Sequence, residues 1–196
     1  MRTTHQLAVY AFGLAALTAG ISSCTKDDTP KPVEQEVITT LKLTFLDDGT
    51  LGPSQSFRYK VSNGFNSTVA DSAVVADTVK LLPNRTYSVS VEVYNEKAIP
   101  VDTTTTEIDA ENQDHLFYYD STPAFGPGSL TPVSGSGSLD KNGKPFNRML
   151  KMTTGLAGTG ALRVRLIHDP VDKAAATRDA IGGENDADGT FPVKIQ

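Results

Sequence analysis

Thr86-Tyr87-Ser88-Val89-Ser90-Val91-Glu92-Val93-Tyr94 puts Tyr87, Val89, Val91 and Val93 on one face of an extended chain and Ser88, Ser90, Glu92 and Tyr94 on the other. Successive side chains of a strand point to opposite faces, so an unbroken period of two marks a strand with one side on a core and the other facing water. Pro83-Asn84 immediately before it supplies a tight turn. The stretch therefore predicts a β-strand, and the search for its partners runs outward in both directions.

Toward the N-terminus, Val37 to Leu46 carries Ile38, Leu41, Leu43 and Phe45 in a mostly alternating apolar row, ended by Gly49, Gly52 and Pro53. Phe57, Tyr59 and Val61 alternate with Arg58 and Lys60, and Asn63-Gly64 turns the chain. Val74 to Leu82 is a third, less regular run. Toward the C-terminus, Thr104-Thr105-Thr106-Glu107 has the spacing of a capping box ahead of Ile108, Ala110 and Glu111, which predicts one short helix within 102–114. Strands are expected at His115 to Tyr119, at Arg148 to Thr153, at the row Leu162, Val164, Leu166, and at Phe191, Val193, Ile195. Ser129 to Leu139 reads either as a strand or, through its Ser-Gly-Ser-Gly stretch, as a loop. About nine short strands with one crossover helix predict an all-β, immunoglobulin-like antiparallel β-sandwich. The polar, Gly-rich insertion Asp169 to Asp188 and the segment 120–146 are the expected binding edge, because long loops gather at the ends of sandwiches.

The N-terminus is of another kind. Arg2 precedes the uncharged run Leu7 to Ile21 and the small residues Ser22 and Ser23, the three-part pattern of a cleavable secretion signal. A run of about 15 apolar residues falls short of the ~20 that span a bilayer. Ile21-Ser22-Ser23-Cys24 resembles the lipobox of bacterial lipoproteins, in which the cysteine is acylated and becomes the first residue of the mature chain. Cys24 is the chain's one cysteine, so an intrachain disulfide is excluded; a covalent lipid is expected on Cys24, and no cofactor is expected. Acyl chains contribute roughly 0.8 kcal/mol per buried methylene, and more than one chain gives stable anchoring. Lys26, Asp27 and Asp28, directly behind the cysteine, resemble the signal that sends Bacteroidota lipoproteins to the cell surface. The expected organisation is a signal peptide at 1–23, an acylated N-terminus and polar tether at 24–35, and a β-sandwich domain at 36–196. Loss of Arg2 with the signal moves the formal charge from −5 to −6. A mild acidic balance without a Lys/Arg cluster argues against nucleic acid as a partner.

Several stretches together resemble a family of small Bacteroidota outer-membrane lipoproteins. They are Val37 to Phe45, Asn84-Arg85-Thr86-Tyr87, Glu111 to Tyr118, Thr154 to Val164 and the ending Thr190 to Gln196. The resemblance covers nearly all of the domain and implies genomic company with TonB-dependent receptors. It brings no catalytic residues. The implied function is that of a non-enzymatic, outer-membrane lipoprotein on the extracellular face, an accessory binding module for a TonB-dependent transporter of a nutrient or metal complex. The alternative is a structural or adhesive surface lipoprotein that binds a partner through an edge strand or its loops.

Chemistry-bearing constellations are few. His115 and His168 are the two histidines outside the signal, each with an acidic neighbour, Asp114 and Asp169. Two imidazoles with carboxylates suit zinc or copper, whereas two separately buried, hydrogen-bonded imidazoles are the commoner arrangement, and a third nitrogen or sulfur ligand is lacking. Glu184-Asn185-Asp186-Ala187-Asp188-Gly189 spaces Asp186 and Asp188 as calcium loops do, without the distal bidentate Glu; the competing reading is an acidic turn leading into the last strand. Gly155 to Gly160 is glycine-rich but is followed by no helix pattern, so it fails as a phosphate cradle. Gly135-Ser136-Gly137 lacks the setting of a hydrolase elbow, and no paired carboxylates stand out as a glycosidase dyad. No enzymatic activity is expected. Ser72, Thr78, Thr103 and Ser121 each follow an aspartate in a pattern that resembles the Bacteroidota O-glycosylation acceptor.

Overall fold

A computed structural model describes residues 36–50, 52–70, 72–121, 130–131 and 137–196. Its elements in chain order are β1 (Thr40–Asp47), β2 (Gln55–Val61), β3 (Val74–Ala76), β4 (Val79–Leu81), β5 (Thr86–Tyr94), α1 (Thr105–Ala110) and β6 (His115–Ser121). There follow β7 (Leu130–Thr131), β8 (Met149–Thr153), β9 (Gly158–His168), α2 (Arg178–Ile181) and β10 (Glu184–Ile195). Two sheets form, one of six strands in the order β3-β2-β1-β5-β8-β7 and one of four in the order β4-β10-β9-β6.

The stretch 86–94 is β5, and it behaves as its alternation demands: Tyr87, Val89, Val91 and Val93 are buried while the intervening residues are half-buried. The antiparallel register with β1 sets Val89 opposite Phe45, Val91 opposite Leu43 and Val93 opposite Leu41, so both apolar rows face the same way. The facing row comes from Leu162, Val164 and Leu166 of β9 and from Phe191, Val193 and Ile195 of β10, and these close one hydrophobic core between the sheets. Gly189 marks their near approach, since a Cβ there would stand 3.0 Å from Leu41 Cδ1 and from the Tyr59 ring. A side chain at this point would have to push the sheets apart.

The structure corrects the sequence reading in four places. Val74 to Leu82 is not one strand: β3 lies at the edge of the six-stranded sheet with Val74 and Val75 exposed, and β4 crosses to the other sheet with Val79 and Leu81 buried. Between them Asp77 accepts a hydrogen bond from the Arg58 backbone N–H (2.8 Å), capping the end of the β2 ladder so that the chain leaves the sheet. Secondly, β4 runs parallel to β10, so the four-stranded sheet is mixed rather than purely antiparallel. Thirdly, there are two short helices among the described residues instead of one. α1 is where it was expected, but Thr104 makes no capping-box bond; its hydroxyl instead donates to Asp102 (3.3 Å). Finally, the insertion is shorter than expected, because β10 begins at Glu184 and α2 occupies part of the remainder. Thr177 caps α2 by accepting from Ala180 N–H, and Ile181 packs with Leu116 and Ile167 on the outer side of the four-stranded sheet.

Candidate functional site

His115 opens β6 and His168 ends β9, and the register of these strands makes them direct cross-strand partners. Both continue core-facing rows, His115 ahead of Phe117 and His168 after Leu166, at one end of the four-stranded sheet. Their ring centroids are 4.8 Å apart. The third member comes from β10. Ladder pairing there jumps between Asn185 and Ala187, leaving Asp186 as the extra residue of a β-bulge. The bulge turns two successive residues inward, and both Asp186 and Ala187 are buried. Arg178 braces it from outside, with its guanidinium donating to Asn185 Oδ1 and to the Gly182 and Gly183 carbonyls.

The result is a buried cluster in which one donor atom each from His115, His168 and Asp186 lies within 4.8 Å of the others. Asp186 Oδ2 stands 3.7 Å from His115 Nε2 and 3.4 Å from His168 Nδ1. The His115 side chain is fully buried and that of Asp186 is 2% exposed, while His168 reaches the surface at 18%. On its far side His115 Nδ1 lies 3.1 Å from the Glu111 carbonyl, which can only accept; that nitrogen therefore carries the hydrogen and Nε2 offers a lone pair toward Asp186. His168 Nε2 faces Asp169 at 3.6 Å. Neither His115 Nε2 nor Asp186 Oδ2 has a hydrogen-bond partner, and the same holds for Glu36 Oε2.

The electrostatics follow from burial. Desolvation lowers the His115 pKa, since a buried imidazolium loses its water. Burial pushes the Asp186 carboxyl up to about 6, against the pull of His168. Glu36 goes up to about 8, first by burial and then through the negative charges of Asp186, Glu107, Glu111 and Asp102. This corner of the domain thus gathers the carboxyls of Glu36, Asp186, Glu107, Glu111 and Asp102, an arrangement that favours either protonation or a bound positive charge.

The two histidines proposed from sequence do come together, but the carboxylate partners differ in part from those expected. Asp169 lies beside His168, whereas the buried acid between the rings is Asp186, which sequence reading had grouped with Asp188. The calcium-type spacing at 184–189 is part of β10, neither loop nor turn, and Asp188 is taken by Arg163 Nε at 2.7 Å and by Arg165 Nε at 3.4 Å. Asp186 and Asp188 serve different partners. Glu36 was not anticipated; nothing in local spacing links it to residues so distant in the chain. Among the acceptor candidates, Thr78, Thr103 and Ser121 are exposed and Ser72 is half-buried. Cys24, Lys26, Asp27 and Asp28 lie outside the described residues, as does most of 120–136.

A groove of about 460 Å³ lies on the six-stranded sheet and is lined in part by Thr44, Leu46, Ser88, Ser90, Met149 and Lys151. No helix among the described residues is long and apolar enough to cross a membrane. No protein-family model matches the chain, and comparison with curated proteins and with solved structures gives no significant match.

Proposed function

We propose that this protein is a non-enzymatic lipoprotein anchored through Cys24 in the outer membrane and displayed on its extracellular face. There it serves as an accessory binding module beside a TonB-dependent transporter of a nutrient or metal complex. We read its two-sheet domain as immunoglobulin-like. The observation that carries the proposal is the order of the chain: a basic residue and an apolar run, a cysteine, Lys26-Asp27-Asp28, a Pro-containing tether, and then a β domain with its own core. The groove on the six-stranded sheet supports a binding role, since it offers apolar floor and hydroxyl groups together.

Cys24→Ser placed behind a secretion signal that is cleaved without acylation is expected to release the protein from the membrane fraction, because neither acyl chains nor the apolar run Leu7 to Ile21 then remain to hold it. A variant that still sediments with membranes contradicts the anchor. Replacing Lys26, Asp27 and Asp28 by Ala should keep the protein anchored but shield it from protease added to intact cells; unchanged cleavage contradicts surface display. Affinity capture of the acylated protein from native outer membranes tests the partner, with a stoichiometric transporter as the expected result. Recovery of the protein alone moves the reading to a structural or adhesive role. That second reading has its own support in β3, a three-residue strand with exposed Val74 and Val75 that, among the described residues, lies at the edge of its sheet, where strand addition can occur.

A further inference from the structure

We propose that His115, His168 and Asp186 form a binding site for one divalent transition-metal ion of the zinc class. The ion is held through His115 Nε2, His168 Nδ1 and a carboxylate oxygen of Asp186. The inference rests on the geometry of the cluster and is independent of the cellular address proposed above.

The donor atoms have the wrong spacing for hydrogen bonds and a suitable spacing for ligands. Contacts of 3.4 and 3.7 Å from Asp186 Oδ2 to the two ring nitrogens exceed the roughly 2.7–3.2 Å of a nitrogen–oxygen hydrogen bond. Zinc bonds of about 2.0–2.1 Å arranged as a tetrahedron set neighbouring ligands roughly 3.3–3.4 Å apart. The third edge, between the nitrogens, lies within 4.8 Å, so binding requires the partly exposed His168 ring to move toward His115. Orientation points the same way. The Glu111 carbonyl fixes the His115 hydrogen on Nδ1, so the Nε2 lone pair faces a carboxylate oxygen with no donor between them, both fully or almost fully buried. Two facing acceptors in a dry site need a cation or a proton to stabilise them.

His168 shows the other half of a metal-site pattern. Its Nε2 faces the Asp169 carboxylate, and a ligating imidazole commonly donates its second N–H to such an outer partner, which orients the ring and raises its basicity. Two imidazoles and one carboxylate suit zinc and its transition-metal neighbours; calcium and magnesium prefer oxygen alone. The fourth position falls to water or to an incoming ligand.

The test uses the full-length acylated protein in detergent, stripped with a chelator and titrated with Zn²⁺, with Co²⁺ as a spectroscopic probe. One ion per chain is expected. His168→Gln and Asp186→Asn should each weaken Zn²⁺ binding by at least about 100-fold, and should abolish the visible Co²⁺ bands of a low-coordinate nitrogen–oxygen site. Both substitutions nearly preserve side-chain volume, and circular dichroism of each variant checks the fold. Zn²⁺ binding that is unchanged in both variants identifies adventitious surface binding and overturns the proposal. Failure of the wild-type protein to bind at about 10 μM free Zn²⁺ also overturns it, and assigns the position between Asp186 and His115 to a shared proton.

Discussion

Phe191→Ala is expected to cost about 3–5 kcal/mol of folding stability, the range for removing a fully buried aromatic ring when the surroundings close only partly over the cavity. Phe191 has no exposed surface and stands on β10, opposite Leu162 of β9. Its ring meets Tyr59 of β2 at 5.7 Å between centroids, and Tyr59 in turn stacks on Phe65 at 5.9 Å. The contact therefore joins the two sheets across the core instead of packing within one of them. Two features limit relaxation: strands on both sides are fixed by ladder hydrogen bonds, and the neighbouring approach at Gly189 is already closed. Since domains of this kind are stable by only about 5–15 kcal/mol, the substitution should move the urea midpoint sharply downward with little change in slope. Phe191→Leu, which keeps most of the volume, should lose less than about 1.5 kcal/mol. A loss below about 1 kcal/mol in the alanine variant would mean that the sheets do not depend on a shared core.

The strands that define this core were legible because their burial is one-sided. In β5, in 162–166 of β9 and in 191–195 of β10 each inward position is apolar and most outward positions are polar, so the alternation in the sequence marks the core face. Val74 to Leu82 was not legible, because alternation states which face a residue takes and not which sheet it joins. Two three-residue strands separated by Asp77-Thr78 look like one irregular strand until pairing partners are known. The parallel pairing of β4 with β10 is hidden for the same reason. α2 had a readable start and stop, Thr177 and Gly182, but its four residues are too few for apolar periodicity, and only Ile181 is buried.

The candidate site was half visible. Two histidines, each near a strand end, can be found by inspection, but that they face one another depends on the register of β6 with β9. Asp186 is harder still. In a regular strand with Ala187 turned inward, its neighbour Asp186 faces outward, so a period-two reading places it with Asp188. One extra residue at the bulge reverses that assignment. Glu36 joins the same corner only through tertiary packing.

Lys173→Met is the other substitution with a large expected effect, because it breaks a buried ion pair from one side. The Lys173 and Asp140 side chains are 7% and 2% exposed, with Nζ 2.8 Å from Asp140 Oδ2 and 2.6 Å from the Asn112 carbonyl. One ammonium thus ties the 169–183 insertion to two other loops. Removing it leaves a buried carboxylate that still accepts from the Asn142 and Lys144 N–H groups but has lost its countercharge, at a cost of about 3 kcal/mol or more. Burial alone would raise the Asp140 pKa, yet Lys173 and the two N–H groups outweigh it and hold the value below that of an ordinary aspartate. A depressed folded pKa contributes stability that is complete above the unfolded value of about 3.9 and is lost as pH falls through the folded one. In Lys173→Met the depression weakens, so protonation relieves the variant where it harms the wild type. The stability gap between them should be widest above about pH 5 and should narrow below about pH 4. Replacing both partners, as Lys173→Met with Asp140→Asn, should recover part of the loss, since no uncompensated charge is then buried. Urea denaturation of the wild type, Lys173→Met, Asp140→Asn and the double variant at two pH values checks all of this. A gap that stays constant with pH would mean that Lys173 acts through the packing of its stem and not through its charge.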